Sequence, residues 1–323
     1  MMSKVAFVFP GQGSQCLGMG EDLYQHLPEA KALLDQVNAL VTPNEAGQSL
    51  LELMFTGPAE ELNRTIYTQP AILAVSLACF FAFQAQVSLQ PVAVAGHSLG
   101  EFSALVASKV LTLAEVVPTV EQRARLMESA PQGTMAAVLG LSALEVQTVL
   151  STLPVSTEAW AVVANDNSPA QVVISGTEAG LALAMPALKT AKAKRVLPLP
   201  VGGAFHSPLM KGPAQAFATV LETLSFQSAQ VPVISNVDAA LRQESTALVE
   251  ASQAQMSSPV QWTKTMRHLV ERCEVDAIIE FGPGKVLSGL MKKTYPDILV
   301  YNIYDLNSLA EVVQVFQACP ANV

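Results

Sequence analysis

Pro91-Val92-Ala93-Val94-Ala95-Gly96-His97-Ser98-Leu99-Gly100-Glu101 combines an apolar run, a glycine-flanked turn and the opening of a helical pattern. Residues 91–95 are too few for a helix and predict a buried strand. From Glu101 to about Val110 the apolar spacing becomes helical, and a second helix is expected over residues 113–129. Strand, tight turn and helix make the unit of an α/β domain with a mainly parallel sheet. Residues 4–9 repeat the theme as a short apolar strand ending in Pro10-Gly11-Gln12-Gly13-Ser14-Gln15. Residues 71–83 form the most apolar stretch, shorter than the ~20 residues that span a bilayer. They follow Pro70, a favourable first helical residue, and predict a buried helix starting there.

The middle of the chain reads differently. Residues 134–139 predict a strand, and residues 142–153 a helix in which Ser142 and Glu145 form a capping box. Strands at 160–164 and 171–174, a helix near 178–189 and a strand at 195–199 complete the order β-α-β-β-α-β, that of a ferredoxin-like unit. After Pro200 the α/β alternation resumes, with a helix near Pro208, a strand at 231–234 and a helix after Pro259. A strand at 276–281 then runs into Gly282-Pro283-Gly284 and another helix, and a last strand is expected at 299–303. The expected architecture is a large, discontinuous α/β-hydrolase-like lobe (1–131 and 201–323) with a small inserted ferredoxin-like lobe (132–200). The cleft between them is the natural place for a substrate. Internal repeats and low-complexity tracts are not evident.

Composition narrows the function. Half of the 323 residues are apolar and 14% are charged, enough apolar material for a sizeable core. A net charge of −9 argues against a nucleic-acid partner. The local cluster Lys189, Lys192, Lys194 and Arg195 stands out in this acidic chain, and reads first as a solvated face. Cys16, Cys79, Cys273 and Cys319 are far apart, which argues against a zinc site, a redox dithiol or a disulfide framework. The N-terminus, Met1-Met2-Ser3-Lys4-Val5-Ala6-Phe7, lacks the features of a signal peptide, so a cytoplasmic protein with no membrane partner is expected. Gly11-Gln12-Gly13 lacks both the third glycine of a dinucleotide fingerprint and a Walker lysine, which argues against nucleotide binding.

Gly96-x-Ser98-x-Gly100 has the form of a nucleophile elbow, a serine on a strand-to-helix turn, and both flanks fit. At a helix N-terminus, unpaired N–H groups favour the negative charge of a tetrahedral intermediate, and Leu99 would supply one of them. The competing reading is a serine that only caps the helix. A serine hydroxyl needs a general base. Of four histidines, His97 adjoins Ser98 and points elsewhere on a tight elbow, whereas His26 and His268 read as surface residues. His206, in Gly202-Gly203-Ala204-Phe205-His206-Ser207-Pro208 at a lobe junction, fits best. Asp166 is the one aspartate between Ser98 and His206 in a plausible loop, and it falls inside the small lobe. The acid of a triad is therefore undecided, and a dyad oriented by a backbone carbonyl serves equally well.

Beyond these, Phe9-Pro10-Gly11-Gln12-Gly13-Ser14-Gln15, Gly96-His97-Ser98-Leu99-Gly100-Glu101, Gln122-Arg123-Ala124-Arg125, Ala204-Phe205-His206-Ser207, Pro259-Val260-Gln261-Trp262 and Gly282-Pro283-Gly284-Lys285-Val286-Leu287 occur in that order. Together they resemble the malonyl-CoA:acyl carrier protein transacylases of type II fatty acid synthesis, and also the acyltransferase domains of polyketide synthases. The resemblance implies that Ser98 becomes malonylated and that His206 is its base, oriented by the Gln255 backbone carbonyl. It implies that Gln12 and Leu99 supply the oxyanion-hole N–H groups and that Arg123 holds the free malonyl carboxylate. It further implies that Phe205 and Leu99 favour malonyl over methylmalonyl. Malonyl-CoA is then the substrate and an acidic acyl carrier protein the acceptor, with no permanently bound cofactor and no metal. The Lys189–Arg195 cluster and Lys285 become candidates for docking the carrier protein. The rival readings are a serine hydrolase or thioesterase using the same Ser98 and His206, and a catalytically idle carrier-binding module. Within the family, a malonyltransferase serving a trans-acting polyketide enzyme or a malonate decarboxylase has the same motifs.

Overall fold

The computed structural model describes residues 4–318. Met1, Met2, Ser3 and Cys319, which entered the expectations above, lie outside the described residues. Among the described residues, ten strands, β1 (Val5–Phe9), β2 (Ala93–Gly96), β3 (Thr134–Leu139), β4 (Ala161–Ser168), β5 (Gln171–Gly176), β6 (Arg195–Pro198), β7 (Val233–Ile234), β8 (Leu241–Arg242), β9 (Ala277–Phe281) and β10 (Leu299–Ile303), form two sheets. The larger has the order β10-β9-β1-β2-β7-β8. All of its pairs are parallel except β7 with β8.

Strands β1, β2 and β9 are buried along their whole length, as central strands covered on both faces must be. Their alternation sorts side chains between two cores. Phe7, Phe9 and Phe281 point to one side, where Phe7 and Phe281 meet edge to face at 4.9 Å, while Ala6, Val8 and Ile278 point to the other. Against the phenylalanine face lies the Thr65–Gln84 helix. It is long and apolar enough to cross a membrane, but all of its 20 residues except Phe81 and Gln84 are buried in the protein, so it is a core helix.

This helix corrects the expected start. It begins five residues before Pro70, which sits inside it. Burial of the whole segment outweighs the one backbone hydrogen bond that Pro70 forgoes. The added first turn brings Thr68 and Gln69 inward, where Thr68 donates to the Leu62 carbonyl at 2.6 Å.

The second sheet is antiparallel with the order β4-β5-β3-β6. Numbered within the unit, that is 2-3-1-4, the ferredoxin-like arrangement that the element order predicts. Helices Ala143–Ser151 and Glu178–Thr190 cover one face and enclose a separate small core containing Ala136, Val138 and Ile174. The Ser142–Glu145 capping box is present. Met135, Ala137 and Val173, from the opposite face, line the cleft toward the large sheet. Strand β4 runs four residues past its expected end, because it pairs with β5 as far as Ser168 opposite Gln171. Its other edge is covered by the large lobe: Val260 N donates to the Ala164 carbonyl and Asp166 N to the Val260 carbonyl, both at 2.9 Å.

Both glycines of the elbow are required by close backbone packing. A Cβ on Gly96 would lie 1.9 Å from the Gly100 carbonyl, and one on Gly100 would lie 2.1 Å from the Phe9 carbonyl oxygen. Since the obstacles are backbone atoms, no rotamer change relieves them. Gly100→Ala is expected to destabilise the fold by about 3 kcal/mol, the upper end of ordinary overpacking. Urea unfolding that gives an unchanged midpoint would contradict this packing.

Candidate active site

Strands β1 and β2 are neighbours, so the Gly11-Gln12 loop and the elbow at Ser98 emerge side by side at the carboxyl edge of the parallel sheet, where α/β folds place ligands. Ser98 has φ 51°, in the left-handed region that a residue with a Cβ occupies only when its surroundings hold it there. His206 also has positive φ, 55°. It enters from the small-lobe side, where Ser175 Oγ donates to the Phe205 carbonyl at 2.7 Å.

Ser98 Oγ and His206 Nε2 are 2.8 Å apart. The other ring nitrogen, Nδ1, faces two carbonyl oxygens, Ser258 at 3.0 Å and Gln255 at 3.2 Å. Carbonyls only accept, so Nδ1 carries the proton and Nε2 is free to accept from the serine hydroxyl. Among the described residues, no carboxylate takes part. Asp166, the candidate acid, lies in β4 and accepts from Thr263 Oγ1 at 2.5 Å instead.

Arg123 comes from the Leu113–Glu128 helix and is 1% exposed. Its Nη1 donates to Gln69 Oε1 at 2.7 Å, while Nη2 donates to Gln255 Oε1 at 2.8 Å and to Ser98 Oγ at 3.1 Å. Nε is buried without an acceptor, and among the described residues no carboxylate pairs with the guanidinium. Burial lowers the Arg123 pKa to about 10, opposed by the charge of nearby Glu101. At neutral pH the group remains a cation. Burial, with the Arg123 charge next in size, lowers the His206 pKa to about 3, so the imidazole is neutral. Glu101 is pushed by burial up to about 7, against the backbone N–H of Asn236 at 2.8 Å.

The cavity above Ser98 is lined on one side by Gln12, Leu99, Arg123 and Phe205, and on the other by Asn165 and Gln171 of the small sheet. Among the described residues, neither the Gln12 nor the Leu99 backbone N–H has an acceptor in the protein. The Gln12 side chain is tied to Thr65 Oγ1 at 3.2 Å.

Residues 6–313 match the family described as the acyl transferase domain. The chain belongs to the acyl transferase family. This acyl transferase is 42% identical over 317 residues to the malonyl CoA-acyl carrier protein transacylase of Bacillus subtilis (strain 168), covering 97% of each chain. Its fold matches an acyl carrier protein S-malonyltransferase from Vibrio cholerae with TM-score 0.88 and 38% identity, covering 96% of this chain and 100% of that one. It also matches, with TM-score 0.90 and 37% identity over 97% of this chain and 100% of that one, a structure of a type II PKS acyl-carrier protein in complex with its malonyl-transacylase.

The structure of the acyl transferase brings Ser98, His206, Arg123, Phe205, Gln12 and Leu99 to one cavity, with the Gln255 carbonyl against the ring of His206. His97, the neighbour of Ser98, also lines the cavity, with its Nε2 on Asn167 Oδ1 at 2.8 Å. His26 is exposed, whereas His268 is half-buried on the Ala239 carbonyl rather than at the surface. Gln69, the Ser258 carbonyl, the Gln255 side chain and Asn236 are additions that the sequence did not single out. Only Gln69 left a signal, as a long polar side chain near the start of a mostly apolar helix.

Glu101 makes stability depend on pH in a definite sense. Its folded pKa of about 7 lies above the ordinary 4.5, so the folded state holds a proton that the unfolded chain has released between those values. That contribution is full below pH 4.5 and is lost as pH rises to about 7. Glu101→Gln abolishes the term, so the stability of the variant relative to the unaltered protein should rise by about 1.4 kcal/mol per pH unit across that window. Urea titrations at several pH values measure the difference; a pH-independent difference would contradict the assignment.

Proposed function

We propose that this acyl transferase moves a malonyl group from coenzyme A to the phosphopantetheine thiol of an acyl carrier protein, through a malonyl ester on Ser98. One observation carries the reading: a buried guanidinium with no carboxylate partner among the described residues lies 3.1 Å from the serine hydroxyl. A hydrolase of simple thioesters has no use for such a cation. An acyl group ending in a carboxylate neutralises it through charge-assisted hydrogen bonds, which the planar guanidinium makes in pairs.

In the first half-reaction, Ser98 Oγ attacks the thioester carbonyl as His206 Nε2 takes its proton. The carbonyl oxygen becomes an anion facing the Gln12 and Leu99 N–H groups. Collapse of the intermediate expels the coenzyme A thiolate, which the imidazolium protonates. In the second half, the carrier thiol enters, gives its proton to His206 and takes the acyl group, restoring the serine. Thioesters stand on both sides of the exchange, so it is nearly isoenergetic and calls for no nucleotide hydrolysis, bound cofactor or metal. A malonyl carboxylate on Arg123 also removes part of the repulsion that keeps His206 from accepting a proton, so the substrate strengthens its own base.

Phe205, in the cavity wall, restricts the room beside the acyl chain and favours malonyl over its methylated relative, a preference worth ~1–3 kcal/mol. The catalytic lobe is assigned to 1–131 and 201–323 and the small lobe to 132–200, and the working place of the enzyme to the cytoplasm. The carrier protein is assigned to the exposed Lys189, Lys192, Lys194 and Arg195. Among the described residues, none of these four forms an ion pair. They end the Glu178–Thr190 helix and begin β6, whose four residues lead, over roughly 13 Å, to Leu199 at the cavity.

Labelled malonyl-CoA tests the reaction: stable label on Ser98, discharged by carrier protein, is expected, and rapid release of free malonate without acceptor would instead indicate a hydrolase. Arg123→Ala should lower the ratio of malonyl to acetyl transfer by about 10³-fold, and equal losses for both would remove the carboxylate role. Lys192→Glu with Arg195→Glu should raise the KM for carrier protein about tenfold with Ser98 labelling unchanged; an unaltered KM would place docking elsewhere.

A further inference from the structure

We propose that the side-chain amide of Asn236 is a positioning residue for the nucleophile, which fixes the Ser98 backbone so that Oγ meets His206 Nε2 while the Leu99 N–H stays available to the oxyanion. The proposal rests on the assignment of Ser98 as the acylated residue.

The geometry begins with the sheet. Strand β2 pairs with β7 through Val94 opposite Val233 and Ala95 opposite Ile234, and there the ladder ends because the chain turns at His97. Asn236 lies two residues beyond β7, and its side chain takes over where backbone pairing stops. Oδ1 accepts from Ser98 N at 2.6 Å, and Nδ2 donates to the Gly96 carbonyl at 2.6 Å. One rigid amide thus spans the elbow on both sides of His97. From the other direction, Gln255 Nε2 donates to the Ser98 carbonyl at 2.9 Å. Both backbone polar groups of the strained residue therefore meet side-chain amides, the carbonyl also accepting from Glu101 N at 3.2 Å.

Asn236 is itself held. It is 1% exposed, its N–H donates to Glu101 Oε2 at 2.8 Å, and its carbonyl accepts from Gln261 N at 2.9 Å. Behind it, Asp238 accepts two hydrogen bonds from Arg242, at 2.7 and 2.8 Å, and one from Ala240 N at 3.0 Å, closing the turn. The chemistry required is specific: an acceptor for one backbone group and a donor for another, a fixed distance apart. A primary amide supplies both. Serine is too short to span them, and an ionised aspartate lacks the donor. Because Ser98 N–H is committed to Asn236, the next N–H in the chain, that of Leu99, is the one left facing the cavity.

Asn236→Ser tests the assignment in single-turnover labelling by malonyl-CoA. The labelling rate should fall about 10²-fold, while the Kd for malonyl-CoA, measured in a Ser98→Ala background, stays within about twofold. Asn236→Asp, which keeps the acceptor and loses the donor, is the second variant should the first not fold. Unaltered labelling by either variant overturns the proposal, as does parallel loss of labelling and binding. Hydrogen exchange on the unaltered protein needs no variant: a slowly exchanging Ser98 amide is expected, and a fast one overturns the proposal. If unaltered protein takes no label on Ser98, the functional reading itself fails, which distinguishes that outcome from a failure of Asn236.

Discussion

A buried cation that, among the described residues, pairs with no carboxylate lies beside the hydroxyl of Ser98, and the surrounding structure is arranged around it. Removing Arg123 from water carries a large desolvation cost, which the protein offsets with the side-chain oxygens of Gln69 and Gln255, the hydroxyl of Ser98 and the charge of nearby Glu101. The remaining positive potential reaches its neighbours. It opposes protonation of His206, second to burial, and favours the charged form of Glu101, behind the hydrogen bonds that group accepts. The charge proposed to hold a diacid therefore adds to what burial already does in keeping the His206 imidazole neutral.

The base and the cation are also joined mechanically. Gln255 accepts from Arg123 and donates to the Ser98 carbonyl, while its own carbonyl orients His206. A few residues on, Val260 is stitched to β4 of the small lobe. Ser175 of β5 holds the Phe205 carbonyl, just before the histidine. The small lobe is thus more than a wall of the cleft. It holds two supports of the His206 imidazole, so displacement of the ferredoxin-like unit would disturb the serine–imidazole contact directly.

Much of the fold was legible locally. The strand–turn–helix at residues 93–107 and the β-α-β-β-α-β order depend on periodicity and caps within short windows, and the structure reproduces both. Pro70 misled because a local rule about helix starts yielded to burial of the entire segment. Strand β4 ran past its expected end because its partners, β5 and Val260, are set by the tertiary fold. The short β8 has only two residues and leaves no pattern to read.

The candidate site divides along the same line. Ser98, His206 and Arg123 are visible as residue types in recognisable local settings, because a hydroxyl on an elbow, an imidazole in a junction loop and a guanidinium on a helix carry their chemistry in the side chain. What surrounds them is not visible. Asn236 meets Ser98 from 138 positions away and Gln255 from 157, and the carbonyl of Ser258 is a group that every residue possesses. By itself the sequence determined which reactive groups exist and which elements carry them, since these follow from side-chain identity and short-range spacing. Tertiary structure alone decided which backbone and amide groups aim, neutralise and restrain them, because those roles depend on position in space and not on residue type.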